Sequence, residues 1–292
     1  MKILGVGNAT LDVINTVPCY PQEDDELRVS RHRQSLGGNC ANSLLALASR
    51  QHECFFAGVL ADDLAAGLIR SQLVQNQINT DNTRVITDSE SPVSWVIVSE
   101  ETSSRTILHH RDLPELGFDD FLACEPESFD WIHFEGRNID QISLMMQHLQ
   151  VSGFKNFSLE VEKSRAQIED LFIYPSILMF SRQYVHQRHA GAIRRFFPEL
   201  RASGIQAELY CGWGKAGGWA MDHANHIYQQ PAWVPEKLVD TLAAGDVFNA
   251  AIIDAHLRQQ TVAQTLEFAC HMAGFKCGFE GLTGLQDFSE TL

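Results

Sequence analysis

The sequence predicts an α/β fold: a mostly parallel β-sheet flanked by helices on both faces, with a second, smaller β-layer beside it. Three observations lead there. Short apolar runs alternate with stretches of helical periodicity for most of the chain, the order that builds a parallel sheet. Two segments break that rhythm with polar–apolar alternation, the pattern of half-exposed strands. No internal repeat, low-complexity tract or linker divides the 292 residues, a length one large domain can fill.

The strands of the main sheet are expected at Ile3–Val6, Cys54–Val59, Trp131–Glu135, Phe157–Val161, Ile177–Phe180 and Ala207–Cys211. Helices are expected at Asn39–Arg50, Leu64–Asn76, Ile139–Val151, Ala190–Ala202, Gly245–Arg258 and Val262–Cys277. The accessory layer is read from two insertions, about 12–35 and 83–110, meeting in space. Their strands include Leu27–Arg31, Arg84–Ile86, Val93–Val98 and Arg105–Leu108. Such a layer serves either as a flap over a cleft or as a face for subunit contact.

Composition removes several classes of function. With 22 Lys plus Arg against 37 Asp plus Glu, the formal charge is −15. So acidic a chain repels nucleic-acid backbones and anionic lipid, although backbone amides and a few placed cations still bind phosphate locally. No run approaches the ~18 apolar residues of a membrane span. The N-terminus, with Asp12 arriving early, reads as a buried strand rather than a signal peptide. Seven cysteines without a CxxC pair read as reduced core thiols, which suits the cytoplasm, and pairs such as His109-His110 read as strand residues rather than zinc ligands.

The chemistry concentrates at Val239-Asp240-Thr241-Leu242-Ala243-Ala244-Gly245-Asp246-Val247-Phe248-Asn249-Ala250. Small residues at 243–245 open a helix there, so orphan N–H groups and the helix dipole make an anion site that backbone can approach closely. Asp246 in that first turn is either a favourable charge for the dipole or a general base beside an anion hole. A second helix opens on Gly37-Gly38-Asn39-Cys40-Ala41-Asn42. Asn39 and Asn42, three apart, face the same way and offer donors and acceptors suited to hydroxyls; a cap explains only one of them.

Asp-Thr-Leu-Ala-Ala-Gly-Asp resembles the signature of the ribokinase/PfkB carbohydrate kinases, usually Asp-Thr-x-Gly-Ala-Gly-Asp, and the Gly-Gly-Asn segment resembles their other signature. The ketohexokinase branch is the most similar. That likeness runs through Leu11-Asp12-Val13-Ile14, Tyr20-Pro21-Gln22-Glu23-Asp24, Arg105-Thr106-Ile107 and Trp131 to Asn138. It continues in Glu160-Val161-Glu162-Lys163 and in Cys277-Gly278-Phe279-Glu280-Gly281, in the family's order across nearly the whole chain.

The resemblance implies a ribokinase-like fold with a β-sheet lid, and transfer of the γ-phosphate of ATP, with Mg2+, to a hydroxyl of a small ketose such as fructose. It carries Asp12, Gly38, Asn39, Asn42 and Asp246 to the sugar site, with Asp246 as catalytic base. It carries Arg105, the loop Gly214-Lys215-Ala216-Gly217 and the segment Ala243, Ala244, Gly245 to ATP. Asp240 resembles the family's monovalent-cation ligand, which makes K+ a candidate cofactor. A homodimer through the lid is implied too, with Asp24 of one subunit reaching the sugar of the other.

Two departures stand out. Ala243 replaces the usual first glycine, a strained choice if φ is positive there. The family's Asn-x-x-Glu is replaced by Ser181-Arg182-Gln183-Tyr184, as in ketohexokinases. Glu160 and Glu162 then act on the metal through water or simply form salt bridges. The alternatives are a kinase of ribose, tagatose, another ketose or a nucleoside, and a non-catalytic sugar- or nucleotide-binding relative. A dehydrogenase of Rossmann type, suggested by Gly5-Val6-Gly7, fails at Thr10, where the third glycine is missing.

Overall fold

The computed structural model describes residues 1–102 and 104–289. The chain opens with β1 (Lys2–Val6), β2 (Thr10–Val17), β3 (Arg31–Gly37), α1 (Asn39–Ser49), β4 (Glu53–Ala57) and β5 (Val59–Ala61). It continues with α2 (Leu64–Gln75), β6 (Ile78–Asn79), β7 (Arg84–Ile86), β8 (Glu90–Ser99), β9 (Arg105–Asp112), α3 (Phe118–Ala123), β10 (Trp131–Glu135) and α4 (Ile139–Ser152). Then come β11 (Phe157–Val161), β12 (Ile177–Ser181), α5 (Arg182–His189), α6 (Ile193–Ala202), β13 (Glu208–Gly212), β14 (Gly218–Met221), β15 (Ile227–Gln230), α7 (Ala244–Leu257) and α8 (Val262–Lys276).

Among the described residues, nine strands form the main sheet in the order β15-β14-β13-β12-β11-β10-β1-β4-β6. The seven from β13 to β6 pair in parallel, and β14 and β15 add an antiparallel hairpin at one edge. Strand alternation gives each face its own core. Ile3, Trp131, Met179 and Tyr210 pack against α1, α7 and α8, while Leu4, Ile132, Phe134 and Leu178 pack against α4 and α6. Both faces are therefore dry, which a parallel sheet requires. No helix among the described residues is long and apolar enough to cross a membrane.

The accessory layer is a four-stranded sheet in the order β3-β2-β8-β9, with β2 and β8 parallel and the outer pairs antiparallel. Two expectations need correction. Arg84–Ile86 leaves that layer to pair with Val59–Ala61 in a separate two-stranded sheet. Leu27–Arg31 is not the return strand either; pairing begins at Arg31, opposite Thr16. The helix expected at Ala190–Ala202 starts at Ile193, after Gly191 (φ 75°), and an additional helix, α5, precedes it, started by Ser181, whose hydroxyl accepts from the Tyr184 N–H.

Candidate active site

The site is built where the C-terminal ends of β1, β10 and β11 meet the N-termini of α1 and α7. Gly5 and Gly7 bring α1 close to β1: a Cβ on Gly5 would lie 2.8 Å from Cys40 Sγ, and one on Gly7 2.7 Å from Cys40 and Glu135. These glycines serve packing, not a dinucleotide turn. Gly38, at φ 95°, lets α1 start so close to Asn8 that a Cβ there would sit 2.5 Å from the Asn8 carbonyl oxygen.

Three carboxylates close this junction. Glu135 Oε2 accepts from the N–H groups of Asn8 (2.9 Å) and Cys40 (3.4 Å), the latter an orphan donor at the start of α1. Glu160 Oε1 accepts from the side-chain amides of Asn39 and Asn249, both at 3.1 Å, while its buried Oε2 has no partner among the described residues. Asp246 Oδ2 accepts from Asn42 Nδ2 at 2.7 Å, and Ser43 Oγ donates to the Asp246 carbonyl, so α1 and α7 are stitched at their N-terminal ends. Burial pushes all three carboxyls up. Glu135, Glu162 and Asp12 push Asp246 further, whereas the Asn42 bond opposes the shift. Beyond its burial, Asp246, Glu135 and Glu162 raise Glu160. Arg137, 3.4 Å from Glu135 Oε1, offsets part of the burial at that residue. Clustered carboxyls with raised affinity for protons are what acid–base chemistry near neutral pH needs.

Asp12 lies on β2 of the small sheet, and Thr10 Oγ1 donates to its Oδ1 at 2.9 Å. A Cβ on Gly37 would lie 2.2 Å from this carboxylate, so glycine there makes its room. Burial raises Asp12; Thr10, Ser94 and Arg33 hold the shift down.

At the start of α7, Ala243 does adopt the left-handed conformation (φ 63°, ψ 6°). The conditional strain noted from the sequence is therefore present. Around Gly245 a Cβ would meet nothing within 4 Å, so space is open beside the first turn of α7, while the Ala244 N–H donates to the Thr241 carbonyl at 3.4 Å. The segment leading in is anchored at Asp240. Its Oδ1 accepts from the Leu242 N–H (2.8 Å), and its Oδ2 takes the Gly281 N–H (3.1 Å), Arg33 (3.0 Å) and the Lys276 ammonium (3.4 Å). Lys276, fully buried, also donates to the Asp240 carbonyl at 2.7 Å. Against its own burial, Lys276, these amides and Arg33 hold Asp240 below the usual carboxylate range. Arg105 reaches the same segment, its guanidinium 3.5 Å from Thr241 Oγ1.

The loop between β13 and β14 turns on Gly214 (φ 60°) and Gly217 (φ 92°), closed by the Trp213 N–H to Gly217 carbonyl bond at 2.7 Å. Phe248 of α7 lies 3.6 Å from where a Cβ on Gly212 would stand, which sets this loop beside the open end of α7. Lys215 and Ala216 form its short 3-10 turn with Gly214.

The structure thus joins Asn42 to Asp246 directly, holds Asn39 on Glu160, and sets Gly38, Asp12, Ala243, Ala244, Gly245 and Arg105 around them. Asp24 is different: it lies on an exposed turn (φ 67°), and among the described residues no hydrogen bond joins it to that group. The salt-bridge expectation holds for Glu162, 3.5 Å from Lys163, but not for Glu160, which two asparagines hold. Sequence reasoning missed Glu135, Asn249 and Lys276. A carboxylate ending an otherwise apolar parallel strand was the available signal for Glu135, since ligands bind beyond the carboxyl ends of such strands.

Comparison with known proteins agrees with this geometry. The sequence model described as pfkB family carbohydrate kinase matches residues 2–287. Mouse (Mus musculus) ketohexokinase is 32% identical over 97% of this chain and 98% of its own. An ATP-dependent ribose-1-phosphate kinase from Halopiger xanaduensis is 21% identical over 96% of this chain and 93% of its own. The structure of Arabidopsis thaliana ribokinase complexed with ribose and ATP superposes with a TM-score of 0.80 at 18% identity, covering 98% of this chain and 99% of that one. Ribokinase from Giardia lamblia gives 0.83 at 15% identity, over 97% and 96%. The fold is ribokinase-like, and the chain belongs to the pfkB family of carbohydrate kinases, phosphotransferases that act on a sugar hydroxyl.

Proposed function

We propose that this enzyme transfers the γ-phosphate of ATP to a hydroxyl of a small ketose such as fructose, with Asp246 as the general base. The observation that supports this most is the placement of Asp246: a buried carboxylate, fixed by Asn42 at 2.7 Å, in the first turn of a helix that has open space beside Gly245. A base must sit within reach of the attacking hydroxyl while amides receive the charge developing on the phosphoryl oxygens. One carboxylate at a helix N-terminus meets both demands.

In this reading Asp12, Asn39 and Asn42 bind sugar hydroxyls, and Gly38 lets the α1 backbone approach them. Asp246 accepts the proton of the attacking hydroxyl. The amides of Ala243, Ala244 and Gly245 hold the transferring phosphoryl group, and Arg105 adds a cation from the small sheet, which acts as a lid. Gly214, Lys215, Ala216 and Gly217 cradle the nucleotide. The unpartnered Oε2 of Glu160 suits a magnesium site, direct or through water. Magnesium supplies charge neutralisation on the phosphates. Potassium would have to share Asp240 with Lys276 and Arg33, and turnover with and without K+ decides its part.

The lid also supports a dimer. Its row Val13, Trp95, Leu108 lies on one face by register, with Trp95 and Leu108 exposed at 42% and 57%. A small sheet with an apolar outer face is a surface to be covered. A second copy of the chain covers it in this reading, and brings Asp24 to the partner's sugar. Coupled ADP release across ketoses, aldoses and nucleosides tests the proposal. Fructose should give the highest kcat/KM; preference for ribose or a nucleoside would replace the acceptor, and ADP release with none would refute the kinase reading.

A further inference from the structure

The end of α8 grips the segment that leads into α7 through both its amides and its carbonyl. The Cys277 carbonyl accepts from the N–H groups of Val239 (2.8 Å) and Asp240 (3.3 Å). The Lys276 ammonium donates to the Asp240 carbonyl at 2.7 Å and lies 3.4 Å from Asp240 Oδ2. Lys276 is 0% exposed, and a lysine is buried that deeply only when it is paired. The local charges balance without any added ion. Asp240 and Glu280 face Lys276 and Arg33, whose guanidinium reaches both carboxylates, at 3.0 and 2.9 Å. Every oxygen of Asp240 already has an N–H donor: Leu242 on Oδ1, Gly281, Arg33 and Lys276 on Oδ2, and Lys276 on the carbonyl. A potassium ion is held by oxygen lone pairs that replace its water. Here it would compete with those donors and add a third positive charge against two carboxylates, so K+ does not fit at Asp240.

We propose that Lys276 is a positioning residue for phosphoryl transfer: its ammonium is the resident cation of the Asp240 site, in the place of a potassium ion, and fixes the segment that sets the first turn of α7. The inference rests on the kinase reading and deepens it. The contacts run without a gap from Lys276 to the phosphate end of the site. Lys276 holds Asp240, Asp240 Oδ1 holds the Leu242 N–H at 2.8 Å, and the Thr241 carbonyl takes the Ala244 N–H at 3.4 Å. Ala243, in its left-handed conformation, closes the segment and opens the helix that carries Asp246. Without the ammonium, the Asp240 carbonyl loses its donor and the amides of 243–245 lose their anchor. A displacement of about 1 Å in such a group costs on the order of 10²-fold in rate. Asp12, Asn39 and Asn42 stand on β2 and α1, off this segment, so acceptor affinity is spared.

The test measures kcat, both KM values and the nucleotide-free Tm of wild type, Lys276→Met and Lys276→Ala, in choline or ammonium chloride at matched ionic strength. Met keeps the bulk and removes the charge, so kcat should fall about 10–100-fold while KM for sugar stays within about twofold. Ala vacates the space of the ammonium. Ammonium ion should then restore part of kcat in Lys276→Ala and raise its Tm, as a ligand of the folded state does; wild type should show neither response. Thallium(I), a heavy stand-in for K+ located by its anomalous scattering, gives a readout that needs no variant. In thallium-soaked crystals no ion should lie on Asp240 of wild type, and one should lie there in Lys276→Ala. Thallium on Asp240 of wild type overturns the assignment, whether or not the variants fold. Undiminished kcat in Lys276→Met, or an equal response of Lys276→Ala and wild type to ammonium, overturns it too. A wild-type enzyme that phosphorylates no sugar overturns the kinase reading instead, and the Tm and thallium results still judge what fills the Asp240 site.

Discussion

Ala243 offers a quantitative check on how the phosphate end of the site is built. Its φ of 63° places an L-residue with a Cβ in the left-handed region, a strain of about 1–2 kcal/mol that glycine does not bear. Glycine in turn gives the unfolded chain more freedom, costing about 0.4–1 kcal/mol. The difference leaves Ala243→Gly more stable by about 0.5–1 kcal/mol, or roughly 1–2 °C in Tm for a chain of this size. A β-branched residue suffers more in this region, so Ala243→Val should lower Tm by several degrees. Differential scanning calorimetry reads both. Turnover should rise or hold in Ala243→Gly, because the amides stay in place while a methyl leaves the mouth of the hole. A lower Tm for the glycine variant, or an unaffected valine variant, would show that the local conformation is not the strained one described.

Three further expectations follow from the buried charges and the lid. Glu160→Gln should raise Tm by roughly 2–5 °C at pH 8 while reducing kcat, a trade-off common where function holds a buried charge. The folded-state proton affinity of Glu160 is raised, so its ionisation costs stability as pH rises; the gain should vanish near pH 4, where both proteins are neutral at this position. His133, fully buried on β10, is lowered by its burial to about 4. The unfolded chain therefore binds a proton here between pH 6.5 and 4 that the folded one refuses, and stability falls across that window by about 3 kcal/mol. Denaturant unfolding of His133→Gln should lack this share of the acid loss. Asp24→Ala should raise KM for sugar and leave KM for ATP nearly unchanged. Mixing Asp24→Ala with an inactive Asp246→Asn subunit should recover part of the activity at limiting sugar; no recovery despite confirmed exchange, or a fully active monomer, would refute sharing.

What the sequence makes legible follows from how each feature is encoded. The parallel strands are local apolar runs such as Trp131–Glu135 and Phe157–Val161, and the long helices have small-residue or Asn starts at Gly38 and Ala243, so periodicity suffices to find them. The separate helix α5 ahead of Gly191 and the excursion of Arg84–Ile86 to pair with β5 depend on tertiary partners, not on local pattern. In the site, Asp246 and Asn42 stand in recognisable segments, but the bond joining them spans 204 residues of sequence. Glu135, Asn249 and Lys276 were hidden for a related reason. Each looks ordinary in its own strand or helix, and acquires meaning only when the ends of β10, α7 and α8 meet. Asp240 shows the converse case, since the resemblance singles out its carboxylate as a candidate cation ligand, while the Lys276 ammonium that it receives has no such signal.

The central claim is that Asp246 takes the proton from a sugar hydroxyl as ATP gives up its γ-phosphate. Transfer of label from γ-labelled ATP to fructose, measured for wild type and Asp246→Asn alongside equilibrium ATP binding, tests it most directly. The account predicts labelled sugar phosphate from wild type, a fall of about 10²–10⁴ in kcat for the variant, and ATP affinity nearly unchanged. A variant that keeps more than about a tenth of wild-type kcat would contradict the assignment of the base, and so would one that fails only by losing ATP.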